Sequence, residues 1–295
     1  MVENVLKLKS YAKINLYLYI ERKLSNGYHN IENIMQTIDL YDDIYLKQTD
    51  NPGIFIECNN PEVPIGNNSI IYKATEILMK SINKGIRISI NKRIPIAAGL
   101  GGGSSNVGTI LIGLCKLFNL KLNSSQIIAI STKFGMDIPF FIVRGTIFAR
   151  GRGELIVPLK PIFPSIPLIL INPGIKIPTK WAYHLFDKFI GNNTRTTIDI
   201  SNLLNKKEAI KPIEIHRIIY NSFDSVLSKE YPIIEQMKNR LKSLGSVVVN
   251  ISGSGPTVYG IFKQQKEIIQ AYHKIKDEYP FVCKTQTVQA DRIFL

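Results

Sequence analysis

Three cysteines, Cys58, Cys115 and Cys283, stand far apart in a chain of 295 residues, and no CxxC pair occurs. That spacing indicates neither a disulfide framework nor a zinc site, so the thiols read as buried or idle in a reducing compartment. Long apolar runs are missing as well. The longest are IPFFIV at 138–143 and IPLILI at 166–171, whereas a bilayer span takes about 20 residues. The opening MVENVLKLKS is mixed and charged, unlike a secretory leader. No internal repeat is visible. These absences set the expectation of a soluble cytoplasmic protein with no membrane partner.

Acidic residues are also scarce: 23 Asp and Glu against 37 Lys and Arg leave a formal charge of +14. Such a charge admits a basic RNA-binding protein as one reading. Against it, the bases are scattered, with NKR at 91–93 and NKK at 205–207 the densest spots, and no RNP-type aromatic motif occurs. Ile, Asn and Lys share adenine- and thymine-rich codons, so genome composition offers another source for the charge. A basic enzyme would in any case attract anionic nucleotides. The expectation is a small-molecule substrate and no specific nucleic acid.

Several phosphate-handling signatures are absent too. There is no GK[ST], hence no Walker loop, and neither HRD nor DFG of the protein kinases. A dinucleotide fingerprint started at Gly99 or Gly101 meets Ser104 or Asn106 where its third glycine belongs. What is present is PIAAGLGGGSSN at 95–106, with Gly99 and Gly101 to Gly103 crowded into five positions. Upstream, Ile86, Ile88 and Ile90 alternate with polar residues as in a half-buried strand. Downstream, Val107, Ile110, Leu111, Leu114, Leu117 and Phe118 follow helical spacing, which places Ser104 or Ser105 at the helix cap. A strand, a glycine loop and a helix together make an anion site, because bare backbone permits close approach and the first helical amides carry partial positive charge.

Along the chain, strands and the glycine loop occupy the first ~155 residues, with a further helix near 124–135. Prolines at 158, 161, 164 and 167 predict a stiff connector between two domains. Beyond it the pattern predicts a strand over IPLILI, a polar stretch through GNNTRTT at 191–197, and helices around 212–229 and 231–243. Strand VVVNI, a second glycine loop SGSGPT at 252–257, strand VYGIF, a helix and strand FVCKTQTV close the chain. Mixed strands and helices in this order indicate an α+β class.

Candidate chemistry lies in four places. In SYAKINLYLYI, Lys13 and Asn15 share the polar face of an alternating strand, opposite Ala12, Ile14, Leu16 and Leu18. Asp137 sits among Phe134, Met136, Ile138, Phe140 and Phe141, where a carboxylate is expensive to desolvate without a cation. Asn26-Gly27 marks a turn from which Tyr28 and His29 emerge. SGSGPT repeats the glycine logic between two strands. Read alone, Lys13 also fits a solvated strand face, Asp137 a turn cap, and Tyr183 an amphipathic helix.

PxxxGLGGGSS resembles the ATP-phosphate loop of the GHMP small-molecule kinases, and AKIN, NGYH, GMDIP and SGSGPT extend the resemblance over nearly the whole chain. It implies a two-domain α+β fold: a ribosomal-protein-S5-domain-2-like domain over 1–157 carrying the ATP loop, and a ferredoxin-like α+β domain over 165–295. It implies ATP as phosphoryl donor with Mg²⁺, and ATP contacts from Pro95, Ile96, Ala97, Ala98, Gly99, Leu100, Gly101, Gly102, Gly103, Ser104 and Ser105. By the same match Lys13 stabilises the transferring phosphoryl group and Asp137 is the base for the acceptor hydroxyl. NGYH, with Ile177-Pro178-Thr179, selects the branch whose acceptor is a cytidine-diphosphate-linked sugar alcohol. Tyr28 and Tyr183 would then sandwich the cytosine and His29 hydrogen-bond its edge, with Asn15, Thr179, Gly253, Ser254 and Gly255 lining the acceptor pocket. The alternative within the family is a kinase with a smaller acceptor, such as homoserine or mevalonate. One departure stands out: Gly99 to Leu120 holds no acid, whereas many GHMP kinases offer a helix glutamate to Mg²⁺. Phosphates, waters and Ser105 are therefore expected around the metal, whose protein ligands stay open. A monomer or homodimer is expected.

Overall fold

The computed structural model describes residues 5–159, 165–189 and 212–289. The polar stretch at 191–197, the NKK at 205–207 and the middle of the proline connector lie outside the described residues. Two long strands form the spine: β1 (Val5–Lys23) and β2 (His29–Thr49) pair antiparallel from Val5↔Lys47 to Lys23↔His29. The Asn26-Gly27 bend joins them, with Gly27 at φ +84°. β3 (Gly53–Cys58), α1 (Ile70–Met79), β4 (Gly85–Asn91), α2 (Gly102–Leu117), α3 (Ser124–Ser131), α4 (Ile138–Val143), β5 (Thr146–Arg150) and β6 (Leu155–Pro158) follow. β4 pairs with the C-terminal half of β2 and β5 with its N-terminal half, so one strand serves two neighbours. α3 is shorter than its periodicity predicts; it starts at a capping box of Asn123 and Gln126 and runs out at Ser131.

The second half contributes β7 (Pro167–Asn172), α5 (Thr179–Phe189), a 3₁₀ turn (Pro212–Arg217), β8 (Tyr220–Asn221), α6 (Asp224–Glu230), α7 (Pro232–Ser243), β9 (Val248–Ile251), β10 (Val258–Ile261), α8 (Gln265–Ile275) and β11 (Phe281–Gln286). Its sheet is antiparallel in the order β11-β7-β10-β9, the β-α-β-β-α-β arrangement of a ferredoxin-like unit. The single helix expected around 212–229 is instead a 3₁₀ turn, a strand and a short helix. Tertiary pairing overrides the local period there: Tyr220 and Asn221 add in parallel to Tyr17 and Leu18 of β1, and Ser222 N–H donates to Leu18 O at 2.8 Å.

Four layers result. Helices α1 to α4 cover one face of the seven-stranded sheet, where Ile44, Leu46, Ile86 and Ile88 meet Val107, Leu111 and Ile138. The opposite face, with Ala12, Ile14 and Leu16, packs on Leu168, Leu170, Tyr259 and Ile261 of the four-stranded sheet. That sheet's outer face is covered by α5 to α8 through Phe186, Leu227, Met237 and Ile268. β1 is thus enclosed on both sides, so its polar face does not meet solvent: Lys13 is 3% and Asn15 2% exposed. Among the described residues no helix is long and apolar enough to cross a membrane. The three thiols are unpaired, and burial pushes those of Cys115 and Cys283 up to about 11, which leaves them protonated and unreactive at neutral pH.

Candidate active site

The glycine loop follows β4, and the helix starts within it, at Gly102. Gly101 adopts left-handed φ +71° and ψ +18° as the N-cap of α2, with no side-chain cap. Capping by Ser104 or Ser105 is therefore not what occurs; the helix starts earlier because glycine can take the left-handed turn. Ser105 N–H donates to Gly101 O at 2.9 Å. The amides of Gly102, Gly103 and Ser104 precede it in the first turn, where helical N–H groups have no carbonyl to reach, and all three residues line one cavity of about 1170 Å³.

The loop's glycines serve different ends. A Cβ on Gly99, at φ +75°, would lie 2.0 Å from Ser252 O, because the two glycine loops are pressed backbone to backbone; Ser252 Oγ donates to Gly99 O at 2.9 Å. A Cβ on Gly103 would meet nothing within 4 Å. Gly99→Ala should therefore lower the melting temperature, since the left-handed cost alone is about 1–2 kcal/mol and the contact adds to it. Gly103→Ala should melt no lower than the parent while raising the KM for ATP, because its methyl projects into open space at the helix start. Thermal unfolding and ATP titration of the two variants separate these effects.

Beneath the loop runs a buried polar relay that sequence reading missed. Asp42, fully buried, accepts hydrogen bonds from Arg93 N at 2.7 Å, Ile94 N at 2.9 Å, Lys92 Nζ at 2.5 Å and Asn106 Nδ2 at 2.8 Å. Four donors satisfy a carboxylate that burial would otherwise penalise by several kcal/mol. Asn106 Nδ2 also donates to Ser10 Oγ, Ser10 Oγ to Ser105 Oγ at 2.8 Å, and Ser105 Oγ to Tyr11 O at 2.6 Å. Lys92 ends beside the start of α2, its Nζ 3.0 Å from where a Cβ on Gly102 would stand. The ammonium, held by Asp42, thus lies on the same side as the partly positive helix start. The signal was present as NK ahead of RIP, but nothing local tells a lysine of this kind from a solvated one.

Lys13 and Asn15 project from β1 between the two glycine loops. Lys13 N–H donates to Leu100 O at 3.0 Å, and its Nζ to Asn15 Oδ1 at 2.5 Å. Asn15 Nδ2 donates onward to Asn33 Oδ1 at 2.8 Å. Burial lowers the Lys13 ammonium below its ordinary value, and the Asp137 carboxylate opposes that shift through space. Asp137 stands at the N-terminus of α4, half-buried, with no capping hydrogen bond from its side chain. Its charge also reaches the Tyr183 hydroxyl, which burial first and Asp137 second push upward. Lys13, Asp137 and Tyr183 all line the same cavity.

At the far end, Tyr28 is 51% exposed, with the Arg152 guanidinium 5.2 Å from its ring centroid. His29 is buried and stacks on Tyr183 at 4.7 Å and 24°. The ring facing Tyr183 is therefore His29, not Tyr28. His29 Nε2 lies 2.6 Å from Asp187 Oδ1, and Lys23 Nζ donates to Asp187 Oδ2 at 2.5 Å. Burial alone would raise the Asp187 carboxyl, but these two bonds outweigh it and hold the group below its ordinary value.

A family model described as the GHMP kinases N terminal domain matches residues 69–145, and one described as GHMP kinases C terminal matches 206–280. The 4-diphosphocytidyl-2-C-methyl-D-erythritol kinase of Caldanaerobacter subterraneus subsp. tengcongensis is 37% identical over 285 residues, covering 96% of this chain and 97% of that one. The chain belongs to the GHMP kinase family. The kinase of the same name from Lachnoclostridium phytofermentans is 37% identical over 278 residues, covering 92% of this chain and 93% of its own. A crystal structure of a 4-(cytidine 5'-diphospho)-2C-methyl-D-erythritol kinase superposes with TM-score 0.81 at 23% identity, over 97% of this chain and 100% of that chain. The homoserine kinase from Cytophaga hutchinsonii shares the fold at TM-score 0.73 and 16% identity, over 98% of this chain and 96% of that one. This GHMP kinase is accordingly a two-domain α+β small-molecule kinase, of a family that uses ATP and generally a divalent metal.

Within this GHMP kinase the cavity is lined by Pro95, Ile96, Ala97, Ala98, Gly99 and Gly101 to Ser104 of the loop, and by Lys13, Asn15, Tyr28, His29, Asp137, Thr179, Tyr183, Gly253 and Ser254. Leu100 and Ser105, each 1% exposed, turn into the core instead, and Gly255 stands behind Ser254 outside the lining. Ser105 is thus corrected as a metal or phosphate contact, because its hydroxyl already serves Ser10 and Tyr11. Among the described residues no group of three or more His, Cys, Asp or Glu could hold a metal. The described residues offer no carboxylate cage for Mg²⁺. Such an ion fits beside these residues as one carried on nucleotide phosphates.

Proposed function

We propose that this GHMP kinase uses ATP to phosphorylate the 2-hydroxyl of 4-diphosphocytidyl-2-C-methyl-D-erythritol, in the cytoplasm, as a step of non-mevalonate isoprenoid-precursor synthesis. The observation that carries the reading is one cavity of about 1170 Å³ running from the α2 amides past Lys13 and Asp137 to Tyr28, His29 and Tyr183. Pockets for a single small ligand run to roughly 300–1,000 Å³. The cavity therefore has room for more than one ligand, and its aromatic end, which homoserine or mevalonate would not need, suits a base.

Each residue's part follows from its chemistry. The amides of Gly102, Gly103 and Ser104, with Lys92 behind them, bind and orient the phosphates of ATP. ATP supplies the phosphoryl group, and Mg²⁺ bound with it would supply charge neutralisation. Asp137 takes the proton of the acceptor hydroxyl as that oxygen bonds to the γ-phosphorus, while the bond to the bridging oxygen breaks and ADP departs with the electron pair. Lys13 balances the negative charge that spreads over the transferring group. Tyr28 covers the base.

An ADP-release assay offering the cytidine diphospho-alcohol beside homoserine, mevalonate and an RNA competitor tests the reading. Turnover with the cytidine compound alone supports it; turnover with homoserine or mevalonate alone overturns it. Tyr28→Ala should weaken acceptor binding by about 1–3 kcal/mol, the scale of base stacking on an aromatic ring, while the KM for ATP stays unchanged. Separate titrations of the two substrates measure both.

A further inference from the structure

Three groups fix the ring of His29 from different sides. Tyr183 stacks on its face, Phe186 meets it edge-on at 6.1 Å and 88°, and Asp187 Oδ1 lies 2.6 Å from Nε2. Tyr183 and Asp187 are four residues apart on α5, so one face of one helix supplies both the platform and the anchor. Asp187 does not serve His29 alone. Its Oδ2 accepts from Lys23 Nζ at 2.5 Å, so a lysine shares the carboxylate with the imidazole.

We infer that Asp187 is a positioning residue that fixes the neutral Nε2–H tautomer of His29, so that Nδ1 presents a lone pair that selects a pyrimidine carrying a 4-amino group over one carrying a 4-oxo group. The inference rests on the proposed cytidine acceptor and deepens it. A carboxylate can only accept, so the Nε2 position must hold the proton, and in a neutral imidazole the other nitrogen is then an acceptor. Cytosine offers an amino donor at that edge; uracil offers a carbonyl oxygen, which would oppose Nδ1 lone pair to lone pair.

Asp187→Asn tests this with nearly unchanged volume. The Lys23 ammonium claims the amide oxygen, which turns the NH₂ toward Nε2 and moves the imidazole proton to Nδ1. The kcat/KM for the cytidine acceptor should fall by roughly 10- to 100-fold through KM, the range for trading a matched hydrogen bond for a mismatched one. The uridine counterpart should hold or gain, so the cytidine-to-uridine ratio collapses, while kcat at saturation and the KM for ATP stay put. Asp187→Glu should restore part of the ratio. Nitrogen-15 NMR of His29 should show Nε2–H in the parent and Nδ1–H in Asp187→Asn, independent of any turnover. An unchanged ratio in Asp187→Asn, or an Nδ1–H or doubly protonated ring in the parent, overturns the inference. Failure of the parent to accept the cytidine compound at all would instead overturn the proposed function, with the NMR result still standing.

Discussion

Asp137→Asn is expected to lower kcat by roughly 10²–10⁴-fold, the loss that follows removal of a general base. The substitution keeps size and shape, and the side chain makes no capping bond to α4 that an amide could spoil. Melting temperature and circular dichroism should therefore match the parent, which separates a chemical defect from a folding one. Near-normal turnover would remove Asp137 from the mechanism. A second readout comes from Lys13. Asp137 is the charge that opposes the burial-driven lowering of that ammonium, so its neutralisation should move the alkaline limb of the residual kcat/KM profile to still lower pH.

Lys13→Met should cost about 10²–10³-fold in kcat, the scale for deleting one preorganised group that meets developing charge. In the parent, burial holds the Lys13 ammonium below its ordinary value. Activity that needs the ammonium should accordingly fade at a lower pH than an ordinary lysine would set, and Lys13→Arg, which stays charged, should extend whatever activity it retains to higher pH. The sign of the stability effect is opposite. The unfolded chain holds this proton more tightly than the folded one, so the site costs stability below its folded pKa and the cost is relieved as pH rises toward the unfolded value. Lys13→Met removes that cost, and its melting temperature at neutral pH should not fall below the parent's.

Much of this site could be read along the chain because its parts are local in sequence. The four glycines, the alternation that put Lys13 beside Asn15, and a carboxylate stranded among aromatic residues at Asp137 each announce themselves within a dozen positions. The strands of the second half were legible for the same reason, as short apolar runs set off by glycine and proline, whereas their ferredoxin-like order was implied by the family resemblance. What stayed hidden depends on distant partners. Ser104 and Ser105 look like caps until Gly101 takes the left-handed turn ahead of them. Tyr220 reads as helical until Tyr17 offers it an edge. Asp42, Lys92 and Asp187 are ordinary charged residues in a row of letters, and only the fold brings Asp42 against Lys92 and Asn106, or Asp187 against His29 and Lys23. His29 likewise gave no sign that it would occupy the face of Tyr183.

The contact between Ser252 and Gly99 carries a consequence for how the enzyme is assembled. The bend that receives the nucleotide belongs to one half of the chain, yet it is braced by a carbonyl and a hydroxyl from the other half. Ser222 and Tyr220 stitch the same halves together along β1. A gene cut between the two sheets would yield two pieces of which neither holds ATP by itself, and any revival of phosphorylation on mixing them would report the moment that seam closes.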